Sequence, residues 1–139
     1  MDAETDLGKL LANMEPELQE GDYVFCSLSP DSFKDLKVEP LGWFRETEGI
    51  TLILERELAA RAGLKFQGLW RMITLQVHSS LEAVGFLAAV TAKLASAGVS
   101  VNPVSAYYHD HLFVPAEKGE LALKLLGDLI GEAVEQTGK

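Results

Sequence analysis

The stretch from Arg71 to Pro115, RMITLQVHSSLEAVGFLAAVTAKLASAGVSVNPVSAYYHDHLFVP, decides the fold. Its first seven residues are β-branched and apolar in the manner of a strand, and the next twenty-one read as a helix. Ser79 with Glu82 three residues on fits a capping box. Leu81, Val84, Ala88, Thr91 and Ala95 form the expected apolar stripe, and Gly98 ends the helix. VSVNPVSA and HLFVP follow as two strands joined by a turn through Tyr107, Tyr108, His109 and Asp110. A final helix is expected from about Glu117 to Val134, with Leu121, Leu125, Leu126, Leu129 and Ile130 facing inward. The second half therefore reads strand, helix, strand, strand, helix.

The first half repeats this order loosely. A short amphipathic helix, Asp6 to Met14, carries Leu7, Leu10, Leu11 and Met14 on one side and stops before Pro16. DYVFCSL, residues 22 to 28, reads as a strand, and Ser29 to Gly42 as a long connection with one turn of helix. WFRE and ITLILE, separated by Thr47, Glu48 and Gly49, form a hairpin, and RELAARAG is a short helix closed by Gly63. One pattern thus occurs twice, in units of residues 1–66 and 67–139. The expected fold class is α+β, two ferredoxin-like βαββαβ units packed as one body, antiparallel sheets with helices on one face.

Composition narrows the function. The 139 residues hold 47% hydrophobic and 24% charged side chains, which specifies a folded domain. The net charge is −9, and no basic stretch is interleaved with aromatics, so neither nucleic acid nor an anionic membrane surface is an expected partner. The single cysteine, Cys26, sits in an apolar run and reads as a small buried hydrophobe. No leader-like or bilayer-spanning run occurs, and a cytoplasmic location is expected.

Residues 77–115, with LGKLLANMEPELQEGDYVFCSL at 7–28 and Arg45 to Thr51, resemble small stand-alone bacterial proteins built from tandem ACT domains. The chain is similar as well to the ACT repeats of cytosolic amino-acid sensors and of aspartate kinase regulatory regions. In arginine sensors of this kind, the segment similar to Tyr107–Pro115 lies beside the ligand. The resemblance implies a regulatory module that binds an amino acid where domains pair, works as a homodimer, and acts on a regulated enzyme or other protein partner. Two departures stand out: the first unit lacks a clear first helix, and the second lacks a last strand.

The residues give this implication a physical form. In the expected topology, the start of the HSSLE helix and the YYHDH turn converge at one end of the sheet. Backbone N–H groups at Ser79, Ser80 and Leu81 suit a carboxylate, and Asp110 suits an ammonium. Tyr107 and Tyr108 are candidate walls, and His111 and Asn102 complete the set of ligand-binding candidates. Plainer roles exist for each: Ser79 as a cap, Asp110 as a turn former, Asn102 beside Pro103 as the mark of an edge strand.

Two other readings compete. His78, His109 and His111 form a conceivable zinc set, but no supporting partners can be named, and no metal or cofactor is expected. Alternatively, the fold serves dimerisation and protein interaction alone. Enzyme signatures such as G-x-S-x-G, a phosphate-binding glycine loop or C-x-x-C are absent from the sequence. A triad of Ser79, His111 and Asp110 would require neighbours on one strand to form an ordered chain of bonds, so catalysis is not expected.

Overall fold

Helix α1, Leu7–Asn13, opens the described chain; the computed structural model describes residues 6–77 and 84–137. Asp6 caps it, its carboxylate accepting from the Lys9 N–H at 3.0 Å, and Leu10 and Leu11 are its buried residues. Two compact units follow from the contacts. One holds the described residues of Met1–Glu20 together with Arg71–Lys139, and the other is Gly21–Trp70. By contacts, the first segment packs with the second half of the chain, and unit two lies between them in sequence.

In unit one, strand β1, Glu15–Leu18, pairs antiparallel with residues 73–76 of a strand spanning Trp70–Gln76. The Gln76 side-chain amide adds a hydrogen bond to the Glu17 carboxylate. This short strand fills the place of the last strand that the second half lacks. Proline at Pro16 is compatible with it because an edge strand need not donate every N–H to a ladder.

Unit two is built on β2, Tyr23–Leu28, β3, Gly42–Arg45, and β4, Ile50–Glu55, in the order β3-β4-β2 and antiparallel throughout. The period of two puts Val24 and Cys26 of β2 and Ile50, Leu52 and Leu54 of β4 into one core. Helices α2, Pro30–Lys34, and α3, Arg56–Arg61, cover it, with Ala59 buried. The first helix of this unit is only five residues long, in keeping with the sequence departure. Gly49 turns the β3–β4 hairpin at φ +155°, where a Cβ would lie 3.0 Å from the Leu28 carbonyl oxygen. Cys26 is buried, and burial raises its thiol pKa.

Apart from Trp70, the remaining elements belong to unit one: β5, Trp70–Gln76, α4, Phe86–Ala95, β6, Asn102–Ser105, β7, Asp110–Pro115, and α5, Gly119–Thr137, entered through a 3-10 turn. The strand neighbours run β1-β5-β7-β6, which is the ferredoxin-like order with its last strand supplied from upstream. Ile73, Leu75, Leu112 and Val114 on the sheet meet Leu10 and Leu11 of α1, Phe86, Val90 and Leu94 of α4, and Ala122 and Leu126 of α5. No helix among the described residues is long and apolar enough to cross a membrane.

Two helix faces differ from expectation. Helix α4 starts at Phe86, behind Gly85 in the left-handed conformation at φ +88°, and the Ser79–Glu82 capping pair lies outside the described residues. Its buried stripe is Phe86, Val90 and Leu94, spaced by four, whereas Val84 is 84% exposed and Ala88 and Ala95 are exposed. Small and apolar residues on every side of this segment let the larger side chains set the phase. In α5, Leu121 faces outward at 37% exposure, and Ala122, Leu126 and Ala133 take the buried positions, with Leu125, Leu129 and Ile130 packed partly against the core.

Candidate functional site

Strands β6 and β7 form a hairpin in the register Asn102 to Phe113, Pro103 to Leu112, Val104 to His111 and Ser105 to Asp110. The Ala106 N–H donates to the His109 carbonyl at 3.0 Å and closes a tight turn with Tyr107 and Tyr108 at its tip. The two rings pack edge to face, centroids 5.0 Å apart, and both are largely exposed. As candidate walls they therefore stand beyond the end of the sheet. Asn102 is exposed at the start of β6, and all four residues of that outermost strand are exposed. Ser79, Ser80 and Leu81, with His78, lie outside the described residues.

Alternation along β7 separates two of the candidates. Asp110 shares a side with Leu112 and Val114, which face the helices, while His111 shares the other with Phe113. On that second side, His111 Nδ1 lies 3.0 Å from the Thr74 hydroxyl, and Thr74 accepts from the Gln19 side-chain amide at 3.1 Å. Thr74 is buried, so this polar row of Gln19, Thr74 and His111 links the segment after β1 to β5 and β7. Burial lowers the His111 pKa, the neighbouring His109 lowers it further, and Asp110 opposes both.

His109, on the turn, has its Nδ1 buried with no hydrogen-bond partner among the described residues. A buried ring nitrogen without a partner is uncommon and calls for a cause. Sequence reading singled out His111 and Asp110 but missed Thr74, Gln19 and the special state of His109. Period-two alternation would have put Thr74 on the face away from Ile73 and Leu75, yet only the strand order brings it beside His111. Among the described residues, no three histidine, cysteine, aspartate or glutamate side chains are grouped as a metal site would require.

The fold is that of small ferredoxin-like units, and comparison with known proteins gives the family. ACT-domain models match residues 2–71 and 67–128, so the chain belongs to the ACT-domain family. Among solved structures it is 48% identical to a protein of unknown function from Vibrio cholerae, described as a possible transport protein, covering 89% of this chain and 95% of that one with a TM-score of 0.78. A protein from Agrobacterium tumefaciens matches at 17% identity over 84% of this chain and 89% of that one, TM-score 0.66. The ligand-free regulatory subunit of aspartate kinase from Thermus thermophilus matches at 12% identity, 83% and 97% coverage and TM-score 0.62, a likeness of fold. No curated protein matches.

Proposed function

We propose that this protein is an amino-acid-binding regulatory module without catalytic activity of its own, working as a homodimer, with its ligand held at the hairpin end of unit one. ACT domains are regulatory modules, and the aspartate kinase subunit to which the chain is similar in fold is named as regulatory. The observation that carries the reading is the buried His109 Nδ1, unpartnered among the described residues and one residue from the Asp110 carboxylate at the foot of the same turn. A ring nitrogen and a carboxylate so placed suit a ligand with both donor and acceptor groups. The exposed edge strand β6 supports a second copy as partner, since an unpaired edge is a template for pairing.

A thermal-shift screen of the purified chain against the twenty amino acids tests this. At a hundredfold excess over its dissociation constant, a true ligand adds about 2.7 kcal/mol of stability, and Asp110→Ala should remove the response. A flat response to all twenty would overturn the proposal. One observation favours a second reading, a pure interaction module: edge strand β3 exposes Trp43 at 50% and Phe44 at 71%. An oligomer indifferent to every small molecule would support that reading instead.

A further inference from the structure

Unit two contains a cleft of about 540 Å³, within the range of small-ligand sites. Leu28, Leu36, Val38 and Leu64 give it apolar walls, and Ser32, Asp35, Lys37 and Arg61 give it polar ones. These leucines and valine already pack partly against the unit's core, so the cleft is continuous with fixed structure.

Its frame consists of the last turns of two short helices. The Asp35 N–H bonds to the Ser32 carbonyl at 3.2 Å and the Leu36 N–H to the Phe33 carbonyl at 3.2 Å. Opposite, the Ala62 N–H bonds to the Leu58 carbonyl, and Gly63, left-handed at φ +69°, lets the Leu64 N–H reach the Ala59 carbonyl at 3.0 Å. Those carbonyls are thereby occupied, and the side chains set the polarity of the cleft. Lys37 and Arg61 form no ion pair among the described residues, and neither does Asp35. In a chain of net charge −9, two unneutralised cations and one carboxylate around an apolar cleft form a definite pattern.

We infer that this cleft binds a small aliphatic carboxylate that carries a hydroxyl or ammonium on the adjacent carbon. The carboxylate would sit between Lys37 and Arg61, the donor would face Asp35, and the tail would lie on Leu28, Leu36, Val38 and Leu64. The inference is independent of the hairpin site, because every residue it uses belongs to unit two.

The test is an NMR titration of the full chain with isocaproate, leucate and leucine, which share one tail and differ only at the carbon beside the carboxylate. Saturable amide shifts at Leu36, Val38, Ala62 and Leu64 are expected, stronger with leucate and leucine than with isocaproate. Arg61→Gln and Lys37→Gln, both at exposed positions, should each weaken binding about tenfold, the worth of one charge-assisted hydrogen bond. Asp35→Asn should erase the advantage of leucine over isocaproate. Asp110→Ala should leave the shifts at these amides unchanged, which separates this site from the hairpin. The inference fails if none of the three compounds moves these amides saturably, or if both cation variants bind as well as the parent.

Discussion

The Thr74 hydroxyl and His111 Nδ1 lie 3.0 Å apart across neighbouring strands β5 and β7, and Gln19 donates to the same hydroxyl. This arrangement ties a titratable ring to a buried residue. It makes the stability of unit one dependent on pH.

The sign follows from the lowered His111 pKa, caused first by burial, then by His109, against the pull of Asp110. The unfolded chain takes up the proton more readily, so the stability associated with neutral His111 is complete above about pH 6.5 and is lost as pH falls through the folded value. Urea denaturation at about pH 7.5 and about pH 5.5 should show a drop that His111→Gln reduces. The comparison of variant with parent is needed because acidification also relieves the repulsion of an acidic chain. Equal pH dependence in both would refute this account.

Thr74→Val keeps shape but leaves both the His111 ring and the Gln19 amide without their partner. A cost of about 1–3 kcal/mol is expected by chemical denaturation. A neutral result would mean that water replaces the hydroxyl.

Gly49→Ala should destabilise unit two by about 1–3 kcal/mol, through both the left-side backbone angle and the close approach of a Cβ to the Leu28 carbonyl. Gly42→Ala, where a Cβ meets nothing within 4 Å and φ is ordinary, serves as the control and should cost much less.

Leu126→Ala removes a fully buried side chain of α5 and should cost about 2–5 kcal/mol, while Leu121→Ala, on the exposed side, should cost under about 1 kcal/mol. Equal losses would place the buried stripe of α5 elsewhere.

Residues 67–139 alone lack β1 and α1, so they should show no cooperative thermal transition by circular dichroism. Adding a peptide of residues 6–20 should restore one. A fragment that melts cooperatively without the peptide would show that the N-terminal segment is dispensable to unit one.

Most elements could be read from the chain because their signals are local. Asp6 before Leu7, Gly63 after the RELAAR helix and the turn at Gly49 each act within a few residues. Strand β1 was illegible for the opposite reason: Glu15, Pro16 and Glu17 are poor strand formers, and the segment is extended because residues 73–76 of β5 lie beside it. The same holds for the candidate site. The YYHDH turn could be located, but that Asp110 and His111 diverge to opposite faces depends on where β7 begins. The partnership of His111 with Thr74 depends on strand order. The face of α4 was ambiguous because alanines surround its few large residues, and its start is set by the backbone of Gly85.

The pairing of Glu15 with Gln76 has a consequence for biosynthesis. A ribosome delivers α1 and β1 before unit two, and unit two before the strand and helices against which that segment packs. Unit two draws on contacts close in sequence and can close while the nascent chain is still growing. Helix α1 must wait, its leucines without a core, until that later strand and those helices have been made.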